Sequence, residues 1–195
     1  MAKREPTALE KALKEERLAQ YARLRGGFPV PLAGAIYWAG LGAYGYTTDL
    51  AGWSQVAFPA TGLIFPLALL LANVFRNPFM KDSSPVGGVL VPAFVAMLLF
   101  WTFIVAAAMT KDYEMIPLFL AVGLSLHWPV IGWSYGRTFL YSAHAVGRAV
   151  IALYIFVQHP DERLTWLPLS VAGVYLVTVL AIYVDSGRLA RKAAR

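Results

Sequence analysis

The chain has 195 residues, 58% of them hydrophobic, with a mean hydropathy of +0.57 and a formal net charge of +6. Soluble domains hold roughly 45–50% apolar residues, so this composition excludes an ordinary soluble fold, and the length suits one domain. The absence of cysteine removes disulfides, thiolate metal sites, iron–sulfur clusters and cysteine nucleophiles from consideration.

The first 25 residues lack the short apolar core of a signal peptide, so membrane insertion is expected to depend on internal spans. Residues 5–25 read as a charged amphipathic helix. Thr7 with Glu10 makes a capping box, and Glu10 with Lys14 a favourable i,i+4 pair. Leu9, Leu13, Leu18, Tyr21 and Leu24 form a loose apolar stripe. The expected position is the cytoplasmic membrane surface, with docking to a protein partner as the other option.

After Gly26 and Gly27 come six apolar segments: about Phe28–Tyr46, Trp53–Phe75, Val86–Met109, Met115–Tyr135, Thr138–Val157 and Leu164–Val184. Each is close to the ~20 residues that cross ~30 Å of hydrocarbon. Aromatic residues mark their ends, among them Tyr46, Trp53, Trp133, Tyr135, Trp166 and Tyr183, as interfacial belts do. The expected fold is all-α: a polytopic transmembrane helical bundle of about six spans with a cytoplasmic amphipathic N-terminal helix. The expected divisions are 1–27 for that helix, 28–184 for the transmembrane domain and 185–195 for a basic cytoplasmic tail.

Orientation follows from Lys and Arg. The N-terminal arm carries Lys3, Arg4, Lys11, Lys14, Arg17, Arg23 and Arg25. The next even-numbered connection adds Arg76 and Lys81, the turn after Tyr135 adds Arg137, and the tail adds Arg188, Arg191, Lys192 and Arg195. The opposite loops carry only Lys111 and Arg163. Both termini are therefore expected in the cytoplasm. The same rule accounts for the positive charge without a nucleic-acid partner.

Glycine and proline are frequent in PVPLAGAIYWAGLGAYG, FPATGLIFP and VGGVLVP. Small residues allow close helix packing. Pro59, Pro66, Pro92, Pro117 and Pro129 are candidate kinks. No internal repeat is evident.

The chemistry concentrates in HWPVIGWSYGRTFLYSAHAVGR, residues 127–148. His127 falls about 12 residues into the fourth span, roughly 18 Å at 1.5 Å per residue. His144 falls on the facing fifth span in the same half of the bilayer. Arg148 lies one turn beyond His144, and Tyr141 about one turn before it. Asn73 and Thr178 fall at comparable depths. An arginine near mid-membrane costs at least ~2.5–3.5 kcal/mol and requires a partner. No acid lies within a span; Asp185 sits at the inner end of the sixth. A fixed cation without a counter-charge would attract an anionic ligand, such as a small molecule or a lipid headgroup. The structural alternative is bonding of Arg148 to helix carbonyls and tyrosine hydroxyls. Arg148, His144, His127, Asn73 and Tyr141 are the candidate ligand-binding residues.

The histidines suit packing, proton relay or bis-histidine ligation of a b-type haem with Arg148 near a propionate. Zinc lacks visible ligands, since His159 belongs to the opposite loop. No nucleophile–base signature, P-loop or buried carboxylate pair appears. An enzyme is not the expected class, and no cofactor or metal is expected. The polar connection NVFRNPFMKDSSPVGG reads as an ordinary basic inner loop, with headgroup or phosphate binding as its other reading.

The runs FPLALLLANVFRNPFMKD and LHWPVIGWSYGRTFLYSAHAVGR resemble a family of small bacterial multi-pass membrane proteins of unknown function. In that family an FPLG-type span precedes a short polar loop, and a histidine-containing span leads into a tyrosine-rich one. The resemblance covers most of residues 28–184. It implies a bacterial inner-membrane location and a six-span bundle, and it carries no activity or ligand. Three functions stay open: a transporter, channel or binder of a small anion or lipid headgroup; a structural or interaction protein acting through its basic N-terminal helix; and an intramembrane haem protein or enzyme. The lipid bilayer is the expected partner, and a second copy of the chain is an option for enclosing a pathway.

Overall fold

The computed structural model describes residues 4–193. Among them are seven helices: α1 (Ala8–Arg23), α2 (Pro29–Gly45), α3 (Leu50–Val74), α4 (Pro85–Met109), α5 (Tyr113–Ser134), α6 (Thr138–Gln158) and α7 (Trp166–Ala193). No strand occurs among the described residues, so the fold is an all-α bundle. Helices α3 to α7 are each long and apolar enough to cross a membrane, the last over Trp166–Leu189. Helix α2, with 17 residues, is shorter. Lys3 and Arg195 of the charge count lie outside the described residues, as does the side chain of Lys192.

Helix α1 starts where its sequence says it should. The Thr7 hydroxyl accepts from the Glu10 N–H at 3.2 Å, and the Glu10 carboxylate accepts from the Thr7 N–H at 2.6 Å. Two of the donors left free at a helix start are thereby satisfied. The Glu10 carboxylate then meets Arg4 at 3.3 Å, where Lys14 was expected; the capping geometry turns it back past the N-terminus, away from the next turn. The apolar stripe also divides. Leu9 is 77% exposed, whereas Tyr21 and Leu24 are buried. What covers them is the end of the bundle itself.

The reversal from α1 into α2 passes through Arg25, Gly26 and Gly27, with φ of 46°, 63° and 62°. This left-handed region is costly for side chains but open to glycine. At Gly26 there is also no room: a Cβ would stand 2.5 Å from Ile182 Cγ2.

Helix α2 packs between α3 and α7. Its buried residues include Ala33, Gly34, Tyr37, Trp38, Leu41 and Gly42, which share one side of the helix, while Ile36, Ala39, Gly40 and Ala43 are exposed on the other. Gly34 faces the Tyr175 ring and Gly42 faces Leu169, so α7 lies directly on the α2 backbone. Lipid tails are as apolar as leucine, so such close packing and buried hydrogen bonds hold membrane helices together. The Tyr37 hydroxyl donates to Ala57 O at 2.7 Å, and Trp53 Nε1 donates to Leu41 O at 3.1 Å, joining α2 to α3.

The α-helical ladder changes near two of the candidate prolines. In α3 a 3-10 turn at Thr61–Leu63 follows Pro59. In α5 the α-helical ladder gives way before Pro129, with Ser125 N–H bonded to Val122 O and Trp128 N–H to Ser125 O. Helix α6, by contrast, runs unbroken through Arg148. Helix α4 is the outer one, burying only Ile104 and Ala107 along its α-helical length.

The two sets of connections separated by the charge count occupy opposite ends. At one end, called here the basic end, Gln20 and Arg23 hold Asp82, Asn77 donates to Leu24 O, and Arg137 pairs with Asp185. Arg17 donates to the Trp133 carbonyl there too. At the other end Arg163 meets Glu114 at 3.4 Å, and Gly45 lies under the Leu164 carbonyl.

Candidate functional site

Helical spacing places Tyr141, His144 and Arg148 on one face of α6, three and four residues apart. All three are buried, Arg148 completely. Its Nη1 donates to the Tyr175 hydroxyl at 2.7 Å and its Nη2 to Leu120 O at 3.2 Å. The guanidinium carbon lies 5.0 Å from the Trp38 ring centre and 5.2 Å from that of Tyr175. Ring faces attract cations, more strongly where water is excluded. No carboxylate pairs with Arg148 among the described residues. Asp185, the one acid with a claim on it by depth, meets Arg137 at 2.5 Å instead.

These contacts leave donors over. Arg148 Nε, Trp38 Nε1 and Trp128 Nε1 are buried with no hydrogen-bond partner. Trp38 lies under the Arg148 guanidinium, and Trp128 packs on Tyr175, the hydroxyl partner of Arg148. The Trp128 ring lies 4.1 Å from the His144 ring and 5.6 Å from Tyr175, and His144 lies 4.6 Å from Tyr175. Buried polar groups without partners cost about 1–3 kcal/mol each.

His144 is bonded through Nδ1 to Thr178 Oγ1 at 2.7 Å, and Thr178 Oγ1 donates its own proton to Val174 O at 2.8 Å. The hydroxyl proton being committed, the bond to His144 requires the proton on Nδ1. In the neutral ring Nε2 is then a lone pair, and it too is buried without a partner. His127 sits at the break in α5, its ring 4.8 Å from Phe94 and 5.8 Å from Trp128. Both imidazoles thus pack against the Trp128 indole, which fills the space a flat haem would need between them. The residues present do not fit bis-histidine haem ligation. Among the described residues no three of His, Asp and Glu gather as a metal site.

Two candidates are engaged elsewhere, although the Tyr141 ring stacks on Trp128 at 5.7 Å. The Tyr141 hydroxyl donates to Gly26 O at 2.6 Å and so ties α6 to the turn after α1. Asn73 is exposed and lines an open cavity at the basic end with Arg76, Asn77 and Lys81. Sequence reasoning missed Trp38, Trp128, Tyr175 and the Leu120 carbonyl. For Trp38 a signal existed, since it lies midway between Gly34 and Gly42 on the glycine face of α2. For Leu120 none did, because any residue supplies a carbonyl.

Above the cluster, toward the basic end, α1 forms a cover. Arg17 lies 4.5 Å over the Trp133 ring, and Arg137 5.0 Å over that of Tyr21. Tyr21 is fully buried; loss of water raises its phenol pKa, an effect Asp185 reinforces and Arg137 opposes. No exposed surface remains on Arg148 beneath this cover.

The chain belongs to a family of unknown function, DUF7010, whose model matches residues 13–185. No curated protein and no solved structure matches it.

Proposed function

We propose that the protein is a six-span membrane protein, with both termini in the cytoplasm, that binds a small monovalent anion at Arg148. Helix α2 supplies the sixth crossing: 17 residues rise about 25 Å, within the lower range for a span. An even number of crossings agrees with the gathering of both basic termini at one end.

The observation that supports anion binding is a fully buried guanidinium with an unused Nε–H and no carboxylate partner among the described residues; the Trp38 indole under it and the Trp128 indole packed on its Tyr175 partner also have unused N–H groups. Arginine stays protonated in proteins, so one bound monovalent anion neutralises the cluster. A divalent one would leave a net negative charge in a dry interior, which is costly. Helix α1 and the Tyr141–Gly26 bond close the basic end, so passage of the anion requires that cover to move. A docking role for α1 is supported only over its first half, where Leu9, Lys11 and Lys14 are exposed.

The test is thermal unfolding in detergent in chloride against gluconate at equal ionic strength. A bound anion stabilises the folded state by mass action. The wild type is expected to melt higher in chloride, and Trp38→Phe with Trp128→Phe to lose roughly tenfold in apparent affinity, as two weak donors would imply. An equal chloride response in wild type and in the double phenylalanine variant would sink the reading.

A further inference from the structure

The connection from α3 to α4 frames an open cavity of about 400 Å³ at the basic end, lined by Leu69, Asn73, Arg76, Asn77, Met80 and Lys81 among others. Its walls are of two kinds. Leu69 and Met80 are apolar, and the neighbouring α3 surface stays apolar through Leu70, Val74 and Phe75, which are 59%, 64% and 42% exposed. Arg76 and Lys81 are exposed cations, and neither makes an ion pair among the described residues. The acid of this connection, Asp82, is turned away and taken by Gln20 and Arg23.

The frame is held in place. Asn77 is 7% exposed; its Nδ2 donates to Leu24 O at 2.7 Å and its Oδ1 accepts from the Phe79 N–H at 3.1 Å. The Asn77 N–H closes the end of α3 on Ala72 O at 2.7 Å, with Arg76 in the left-handed region at φ 51°. A cavity built before its ligand arrives saves the ordering cost of binding.

We propose that this cavity holds the headgroup of an anionic phospholipid from the surrounding leaflet. Arg76 and Lys81 meet the phosphate, the Asn73 amide donates to a headgroup oxygen, and an acyl chain runs along the exposed α3 face. Arginine suits the phosphate because its planar fork matches the oxygens. Charge complementarity selects the lipid class. A zwitterionic headgroup offers the same phosphate but brings an ammonium toward the same two cations, whereas a glycerol headgroup brings none. The free apolar wall beside the cations favours lipid over inorganic phosphate, which has no use for it. The site is independent of Arg148, which lies buried in the bundle.

The experiment is native mass spectrometry of the full chain taken from vesicles of equal phosphatidylglycerol and phosphatidylcholine. The wild type is expected to retain phosphatidylglycerol, and Arg76→Gln with Lys81→Gln to retain about tenfold to thirtyfold less, the effect of two interfacial cations. Lys11→Gln with Lys14→Gln removes the same charge from the same end outside the cavity, and is expected to change nothing. Arg76→Lys with Lys81→Arg keeps the charges and is expected to keep the lipid. Unchanged retention in the glutamine variant, equal losses in the Lys11 and Lys14 variant, or equal capture of phosphatidylcholine overturns the proposal. Displacement of the lipid by excess inorganic phosphate also overturns it, by reassigning the cavity to the free anion.

Discussion

The Tyr141 hydroxyl, on the inward face of α6, donates a 2.6 Å hydrogen bond to the carbonyl of Gly26, 115 residues earlier in the chain. That bond joins the face carrying His144 and Arg148 to the turn that folds α1 back over the bundle. The cover of the site and its floor are therefore one hydrogen-bonded unit.

Replacing Tyr141 by Phe leaves the ring packing in place and strands a buried carbonyl. The expected cost is about 1–3 kcal/mol. Hydrogen exchange is the measurement: amides of α1 and of the turn after it are expected to exchange faster in Tyr141→Phe, with α6 and α7 unchanged. Uniform destabilisation of every helix would contradict this.

Asp82 holds α1 from the other side. It accepts from Gln20 Nε2 at 2.9 Å and from Arg23 Nε and Nη2 at 3.2 and 3.0 Å. Asp82→Asn removes the charge and turns an amide donor toward donors. Arg23 is well exposed, so the ion pair itself is worth at most about 1 kcal/mol. Trypsin cleavage after Arg23 and Arg25 is expected to accelerate several-fold, while the melting of the bundle changes little.

Gly34 is the point where α2 meets Tyr175, the hydroxyl partner of Arg148. A Cβ there would stand 2.6 Å from Tyr175 Cε1 and 2.7 Å from Cζ, and the Tyr175 hydroxyl is a partner of Arg148. Gly34→Ala is expected to cost about 1–3 kcal/mol by overpacking and to blunt the chloride response. Gly40→Ala, whose Cβ would meet nothing within 4 Å, is expected to be neutral or to gain up to about 1 kcal/mol in helix propensity. Equal melting temperatures for the two variants would refute the packing argument.

Acid is expected to loosen α1 before the bundle. The hydrogen bond from Arg23, helped by Ser84, holds the Glu16 carboxyl below its ordinary value of 4.5. The Thr7 backbone N–H does the same for Glu10. A carboxyl depressed in the folded state contributes stability above its unfolded value, and that contribution is lost as pH falls through the folded one. Amide exchange in α1, corrected for its intrinsic pH dependence, should therefore rise below pH 4.5 while α3 to α7 stay protected. A flat profile for α1 would show that neither carboxyl contributes.

Much of the architecture was legible because it rests on local or summed properties. Apolar runs mark α3 to α7, and Thr7 with Glu10 marks the start of α1. Lys and Arg sort the connections into the same two groups that the structure puts at opposite ends. The glycine-rich run of α2 announces close packing, which the structure places at Gly34 and Gly42. The site was legible only in part. Tyr141, His144 and Arg148 share a face because helix geometry demands it, but Asn73 matched them in depth alone, and depth says nothing of which side of a bundle a helix occupies.

By itself, then, the sequence determined an all-α bundle of apolar helices with its charge divided between two ends, since hydropathy and capping act over a few turns of chain. The tertiary structure alone decided that Arg148 is met by Tyr175 and the Leu120 carbonyl, that Asp185 turns to Arg137, and that α1 docks on its own bundle. Those choices depend on which helices become neighbours. Close packing at Gly34 and Gly42 and hydrogen bonds such as Tyr141 to Gly26 settle that across more than a hundred residues.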